Sequence, residues 1–350
     1  MRVFDYSLLK EKTWDSEIIS LVAQIHEYKG RQEVYLKQKP ETLDKLVEIA
    51  KRQSTEASNA IEGIRTTSTR LKELCEEKTT PKNRDEEEIL GYRDVLNTIH
   101  ENYEYIPIRT NYILQLHRDL YKYTEKSIGG HFKVSQNVIA ATNEMGKEYV
   151  LFTPLAPYET PSAIDAICEN YNRMIENQEL DTILLIPIFI HDFLCIHPFS
   201  DGNGRMSRLL TALLLYRSGY VVGKYVSIES KIAKNKDLYY KALEDCQGGW
   251  HENKEDVTPF VKYMLRIILA AYRDFEERVE LVSEKLPAKE IVRRAVYSKM
   301  GKLSKSDITE LCPSIGVKSV ELAIKQLVEE GVLLKMGSGR ATFYVRGDSK

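Results

Sequence analysis

The segment from His197 to Arg208 reads His-Pro-Phe-Ser-Asp-Gly-Asn-Gly-Arg-Met-Ser-Arg, and it combines a base, a carboxylate, two glycines and two arginines. Gly202 and Gly204 allow backbone conformations that residues with a Cβ avoid, so successive N–H groups can converge on an anion. A helix that begins near Gly204 directs the positive end of its dipole to the same point. The segment therefore predicts an anion-binding turn at the start of a helix.

The side chains of this segment predict what the turn binds. Asp201 offers the hard oxygen that suits Mg²⁺, a cation usually held by one or two carboxylates together with the phosphates of a nucleotide. Asn203 can donate from its amide, and Arg205 and Arg208 have the planar, permanently charged shape that binds phosphate oxygens. His197, with an ordinary pKa of about 6.5, can remove a proton from an attacking hydroxyl. These residue types indicate transfer chemistry on a Mg²⁺-bound nucleotide.

This segment matches, at every specified position, the signature His-x-Phe-x-(Asp/Glu)-Gly-Asn-Gly-Arg-x-x-Arg, and so resembles the Fic (Fic/DOC) family. The resemblance implies transfer of AMP from ATP to a Ser, Thr or Tyr hydroxyl of a protein, and self-modification is expected alongside it. It implies the following roles: His197 as base, Asp201 as Mg²⁺ ligand, Gly202, Asn203, Gly204 and Arg205 as phosphate cradle, and Arg208 as a contact to the terminal phosphates. One variant of the family replaces Gly-Asn-Gly with a sequence that carries a lysine and acts as a kinase. This chain keeps Gly-Asn-Gly, so the resemblance favours adenylylation.

A second constellation lies upstream, where Ser58-Asn59-Ala60-Ile61-Glu62-Gly63 fits the inhibitory pattern of the family, (Ser/Thr)-x-x-x-Glu-(Gly/Asn). By resemblance, Glu62 forms an ion pair with Arg208 and denies that arginine to the γ-phosphate of ATP. The alternative interpretation is an ordinary helix C-terminus with Gly63 as its left-handed cap. In some relatives the equivalent glutamate also helps to remove AMP from modified targets, and the sequence leaves this activity open for Glu62.

Two further elements are predicted near the site. Residues 133–152 have the pattern of a β-hairpin that turns at 143–146, and they match in position the flap that holds an extended protein substrate in Fic proteins. An ordinary surface hairpin is the alternative. Tyr239 and Tyr240 occupy the place of the aromatic contacts to adenine and ribose, with simple helix packing as the alternative.

Composition sets the broad class. The chain has 350 residues, of which 43% are hydrophobic and 29% charged, and helical periodicity dominates it. Its five widely spaced cysteines include no Cys-x-x-Cys pair, which argues against a disulfide framework and favours a reducing compartment. The longest apolar run, 183–190, is far too short to span a bilayer, so we expect no membrane insertion and a cytoplasmic location. The oligomeric state does not follow from the sequence.

The predicted fold is mainly α: a Fic-type helical bundle with a β-hairpin flap, followed by a C-terminal winged helix-turn-helix. The predicted divisions are an N-terminal helical region at 1–105, the catalytic domain at 106–271, a linker helix at 272–286 and the winged module at 287–350. DNA contact through 287–350 stays open, although the formal net charge of −2 gives no global attraction to nucleic acid. A DNA-binding regulator that uses the Fic domain as a nucleotide sensor is therefore the alternative function, but a sensor has no need of the base at His197.

Overall fold

The protein is described from a computed structural model that covers residues 2–38, 40–125, 127–142, 146, 148–283, 286–299, 301–312 and 315–347. The chain forms two compact units, Met1–Glu27 with Ala50–Ala271, and Tyr28–Ile49 with Tyr272–Lys350. The order of the chain alone does not predict that residues 28–49 group with the C-terminal residues.

The larger unit is helical apart from one hairpin. Its helices are α1 (Ser16–Gln38), α2 (Pro40–Ile61), α3 (Ser68–Cys75), α4 (Arg84–Asn102), α5 (Thr110–Leu120), α6 (Thr160–Glu176), α7 (Thr182–Ile196), α8 (Asn203–Arg217), α9 (Ile228–Lys234), α10 (Lys236–Gln247) and α11 (Thr258–Ser283). Part of α1, of α2 and of α11 is assigned to the smaller unit. The predicted mainly helical fold is confirmed.

Helix α7 is at the centre of this unit. Every residue from Ile183 to Ile196 is buried, as expected for a helix that is apolar on all sides. Asp181 caps its N-terminus by accepting a hydrogen bond from the Ile183 N–H at 3.0 Å. The helix packs against α6 and α8, and α8 also packs against α4. The loop between α7 and α8 is thus held at both ends by buried helices.

The predicted hairpin is present as strands β1 (Ile139–Thr142) and β2 (Glu148–Phe152), which pair antiparallel. Ala140 lies opposite Val150, and the register shifts between Ile139 and Ala140. The predicted turn at 143–146 lies, except for Gly146, outside the described residues. Residues 133–138, predicted as part of the hairpin, precede β1 and are not in a strand.

The smaller unit contains α12 (Ala288–Tyr297), α13 (Lys305–Leu311), α14 (Val317–Glu329), β3 (Leu333–Met336) and β4 (Phe343–Arg346). The two strands pair antiparallel, and Leu303 adds an antiparallel bridge to Tyr344. Ser304 and Asp307 form a capping box at the start of α13. The buried side chains of Val292, Ile308 and Leu327 belong to one apolar cluster, so this unit has a core of its own.

Within the described part of the chain, no helix combines the length and the apolar character that crossing a membrane requires.

Candidate active site

The loop from His197 to Gly202 connects α7 to α8 and carries two residues in the left-handed region. His197 ends α7 with φ 51° and ψ 62°, and its N–H donates to the Phe193 carbonyl at 2.9 Å. Gly202 has φ 82°, and a Cβ there would lie 2.9 Å from the Tyr121 hydroxyl oxygen. Both the conformation and the close approach of Tyr121 therefore require glycine at 202.

The hydrogen bonding of His197 fixes its tautomer. Nδ1 lies 3.2 Å from the carbonyl oxygen of Leu194, and a carbonyl oxygen only accepts, so Nδ1 carries the proton. The lone pair is then on Nε2. Burial lowers the pKa of His197 to about 4, and the nearby Lys133 ammonium adds to this against the opposing effect of the Leu194 carbonyl. The imidazole is therefore neutral at pH 7 and able to accept a proton.

A cavity of about 240 Å³ opens beside this loop. It is lined by Glu62, Ile139, Leu151, Leu194, His197, Ser200, Asp201, Gly202, Asn203, Gly204, Arg208, Tyr239, Tyr240, Leu243, Glu244 and Gln247. Most of the predicted site residues are thus brought together around one space. Ser58, Gly63 and Arg205 are outside its lining.

Asp201 lines the cavity and is oriented by its neighbours. Its Oδ1 accepts from the Gly202 N–H at 2.7 Å, and its backbone oxygen lies 3.1 Å from Nε2 of His117. Nδ1 of His117 accepts from the Gly130 N–H at 3.0 Å, so Nε2 must be the donor to Asp201. His117 also stacks on Phe199 with ring centroids 3.6 Å apart. A carboxylate that faces the cavity from the residue before Gly202, beside the helix N-terminus, fits Mg²⁺ held together with nucleotide phosphates.

Asn203 and Arg205 bind the protein itself. The Asn203 amide donates to the Phe199 carbonyl at 2.7 Å and accepts from the Phe199 N–H at 2.9 Å, which closes the loop. Arg205 is 1% exposed, and its Nη2 lies 2.7 Å from the Glu88 carboxylate and 2.8 Å from the Tyr121 hydroxyl. The structure therefore holds Arg205, on α8, against α4 and outside the lining of the cavity, and its predicted contact with phosphate stays a prediction.

Arg208 is buried and meets the upstream constellation. Its Nη2 lies 2.7 Å from Glu62 Oε1 and 3.0 Å from the Ser58 carbonyl, and its Nε donates to the Ser58 hydroxyl at 2.8 Å. Burial is the largest single influence and opposes the charge of Arg208, but the Glu62 carboxylate together with Tyr239 and Tyr92 outweighs it, so the pKa of Arg208 is raised. A Cβ on Gly204 would lie 2.2 Å from Glu62 Oε1. The Glu62 carboxylate thus sits against the first turn of α8, where the anion was predicted.

The end of α2 positions Glu62. Gly63 has φ 83°, its N–H donates to the Ala60 carbonyl at 3.1 Å, and the Ile64 N–H donates to the Asn59 carbonyl at 3.0 Å. This is a Schellman motif, in which glycine supplies the left-handed residue. The helix-cap interpretation of Gly63 and the Glu62 contact with Arg208 are therefore compatible, because the cap turns Glu62 toward α8.

Tyr239 and Tyr240 both line the cavity, in different surroundings. Tyr239 is buried, whereas Tyr240 is 42% exposed, and their rings meet edge to face with centroids 5.4 Å apart. Gln247 also lines the cavity, and within the described residues its buried Oε1 has no hydrogen-bond donor. This end of the cavity combines aromatic surface with an amide.

Sequence reasoning missed Lys133, Asn137, His117 and Glu88, all of which contact the motif or hold it in place. Each lies at least sixty residues from its partner along the chain, and none belongs to a recognisable pattern. Only the contacts of each polar side chain identify it, and these contacts exist only in the folded protein.

The helix–loop–helix, the flanking hairpin and the cavity define a fold of the Fic type, and comparison with known proteins agrees. The model of the Fic/DOC family matches residues 107–215, so the chain contains a Fic/DOC domain. A Fic family protein from Desulfovibrio desulfuricans shares the fold with a TM-score of 0.62 at 20% identity, covering 97% of this chain and 98% of that one.

Two curated relatives are similar in sequence. A Fido domain-containing protein of Dictyostelium discoideum is 24% identical over 147 residues, which are 41% of this chain and 98% of the relative. The protein adenylyltransferase Fic of Drosophila yakuba is 28% identical over 181 residues, which are 51% of this chain. The match spans only 31% of that Drosophila relative.

Proposed function

We propose that the chain is a protein adenylyltransferase, which transfers AMP from ATP to a Ser, Thr or Tyr hydroxyl of a protein. The observation that carries the proposal is the state of His197: neutral, with the proton on Nδ1 and the lone pair on Nε2, at a cavity that ends on a helix N-terminus. Relatives named protein adenylyltransferase support the same class of reaction. A sensor that only binds nucleotide would gain nothing from this arrangement of the imidazole.

In the proposed reaction, Nε2 of His197 takes the proton of the target hydroxyl as its oxygen attacks the α-phosphorus. A new phosphorus–oxygen bond forms, the bond to the bridging oxygen of the β-phosphate breaks, and pyrophosphate leaves. The N–H groups of the first turn of α8 stabilise the charge on the phosphate oxygens. Asp201 would hold Mg²⁺, which neutralises charge on the phosphates when bound.

Glu62 is proposed to inhibit this reaction. It binds Arg208 at 2.7 Å and places its carboxylate against Gly204, so it takes the position and the partner that the terminal phosphates of ATP need. ATP can still bind while Arg208 is withheld, but in a pose unsuited to attack. A role for Glu62 in removing AMP by positioning water belongs to the same proposal.

The flap is proposed to hold the protein substrate. Ile139 of β1 and Leu151 of β2 line the cavity, and Tyr149 and Val150 are exposed on the same hairpin. An extended target segment can pair with such a hairpin through its backbone, which brings a hydroxyl next to the cavity.

The elements of residues 288–346 support a winged helix-turn-helix: three helices, then a two-stranded hairpin, with Leu303 bridging to it. Several of its cations are paired with carboxylates, including Lys305 with Glu321 at 2.8 Å and Arg293 with Glu290 at 2.9 Å. We therefore favour a role in docking protein for this module, with DNA contact as the alternative.

The test is incubation of the purified protein with Mg²⁺ and ATP labelled on the α-phosphate, followed by gel detection of protein-bound label. We expect weak self-labelling of the wild type, stronger labelling of Glu62→Gly and none of Glu62→Gly/His197→Ala. His26→Ala, which changes a histidine on α1, is the control. Glu62→Gly/His26→Ala should label like Glu62→Gly. Equal labelling with and without His197 would refute the base assignment, and equal labelling with and without Glu62 would refute the inhibition.

A further inference from the structure

The four backbone carbonyls from residue 196 to residue 199 are all bound by one upstream segment, residues 133–137. Lys133 Nζ donates to the Ile196 carbonyl at 3.0 Å, and the Lys133 backbone N–H donates to the Pro198 carbonyl at 2.9 Å. Asn137 Nδ2 lies 3.2 Å from the His197 carbonyl and 3.1 Å from the Phe199 carbonyl. The loop that carries the proposed base is therefore fixed by two side chains, which we call the carbonyl clamp.

The clamp is internally connected and partly closed to water. Lys133 is 2% exposed, and its Nζ also donates to Asn137 Oδ1 at 2.8 Å, which orients the Asn137 amide toward the loop. A buried ammonium group is costly unless hydrogen bonds satisfy it. Here the acceptors include the final carbonyl of α7, where the negative end of the helix dipole favours a cation. The last carbonyl of α7 and the Asn137 side-chain oxygen thus together satisfy the buried charge of Lys133.

His197 needs such support because of its backbone. It adopts φ 51°, a conformation that costs a residue with a Cβ free energy and persists only where the surroundings enforce it. The carbonyls of residues 196 and 197 flank this strained position, and the clamp binds both. Without these bonds the loop can relax, and the imidazole then loses the orientation that its contact with Leu194 sets.

We propose that Lys133 and Asn137 are positioning residues for His197, and that they keep the catalytic loop in register with the flap. Asn137 is two residues from the start of β1, and Ile139 of β1 lines the cavity. One backbone segment thus fixes both the base and the strand that borders the substrate hydroxyl. This inference rests on the proposed function, since it takes His197 as the base.

The kinetic test uses the Glu62→Gly protein, in which the inhibitory contact is absent, and measures the self-labelling rate against ATP concentration. For Lys133→Met and for Asn137→Leu we expect the maximal rate to fall about 10- to 100-fold, the scale of a misplaced reacting group, with the half-saturating ATP concentration changed less than about twofold. Lys133→Arg, which keeps a charged donor, should retain more of the rate than Lys133→Met. Lys12→Met, which removes a surface ion pair with Asp256, is the matched control and should not differ from its parent.

An unchanged maximal rate in both clamp variants would overturn the inference, and so would a rate that falls only in proportion to weaker ATP binding. Nitrogen-15 shifts of the His197 ring, assigned with His197→Ala, give a readout without turnover. We expect the Nδ1-protonated tautomer in the parent and a loss of that preference in Lys133→Met. If the parent does not label but the tautomer changes as expected, the proposed function fails while the positioning stands. If the parent labels and the tautomer is unaffected, the positioning fails alone.

Discussion

At the scale of single residues, the protonation state and the tautomer of His197 depend on its position at the C-terminal end of α7. Burial disfavours the imidazolium, and the Leu194 carbonyl removes the choice of tautomer, so the ring is held as a neutral base with Nε2 available. Neither effect is a property of histidine itself. Both come from the apolar α7 and from the left-handed turn that follows it.

The lowered pKa of His197 predicts the pH dependence of labelling. Only the neutral imidazole can take a proton, and its pKa falls from 6.5 to about 4 in the folded protein. Glu62→Gly should therefore keep its full kcat/KM from pH 8 down to about pH 5 and lose it as the pH falls through about 4. The measurement is the initial labelling rate at low ATP concentration across this range, with circular dichroism at each pH to confirm the fold. An acid limb centred near pH 6.5 would show that His197 titrates as in water.

At the scale of helices, the catalytic loop depends on how α8 is fixed to α4. Arg205 and Glu88 form a buried ion pair at 2.7 Å, with side chains 1% and 3% exposed. Removing one partner of such a pair leaves an uncompensated buried charge, which costs more than the pair contributes. In the structure the first Arg of the motif thus contributes to the packing of α8 against α4.

This packing predicts that the effects of Glu88 and Arg205 variants on the free energy of unfolding depend on each other. Glu88→Leu should lower the free energy of unfolding by about 3–5 kcal/mol, because Arg205 stays buried and charged. Glu88→Leu/Arg205→Met, which removes both charges, should recover much of that loss. Urea denaturation of the wild type, Glu88→Leu, Arg205→Met and the double variant measures it, and Glu73→Leu, at a surface pair with Arg70, is the control. If the double variant is as unstable as the sum of the two single ones, the charges are not coupled.

The sequence predicts the features that depend on neighbouring residues, and it does not predict the contacts between residues that are far apart in the chain. The order of motif residues, the apolar residues on either side of the predicted turn in 133–152 and the glycine after α2 depend on neighbours in the chain, and the structure contains the loop between α7 and α8, the hairpin and the cap. The location of Arg205 could not be predicted, because its partner Glu88 lies on another helix and carries no signal. The same holds for the carbonyl clamp, whose lysine and asparagine look like ordinary polar residues until the fold brings them to the carbonyls of residues 196, 197 and 199.

At the scale of the whole molecule, two distant parts of the chain meet at one guanidinium group, that of Arg208. Glu62 ends α2 and Arg208 lies on α8, yet their side chains meet at 2.7 Å in the cavity. A carboxylate and the γ-phosphate of ATP are both anionic acceptors, so in the proposed function they compete for Arg208. Control of activity is therefore expected to appear as a difference between nucleotides with and without that phosphate.

This competition predicts how nucleotides stabilise the protein. A ligand that binds only the folded state stabilises it by a free energy that rises with the logarithm of the ligand concentration divided by Kd. With His197→Ala present throughout to prevent turnover, the Glu62-containing protein should bind Mg-ATP and Mg-ADP with similar affinity, because Arg208 is occupied. In Glu62→Gly, Mg-ATP should bind about tenfold more tightly than Mg-ADP, about 1.4 kcal/mol, as one charge-assisted contact is gained. Glu62→Gln, which keeps the volume and removes the charge, should show part of this preference for Mg-ATP.

Titration calorimetry and the thermal shift with each nucleotide measure the preference for Mg-ATP over Mg-ADP. A preference for ATP that is already complete with Glu62 present would mean that the carboxylate does not compete for Arg208.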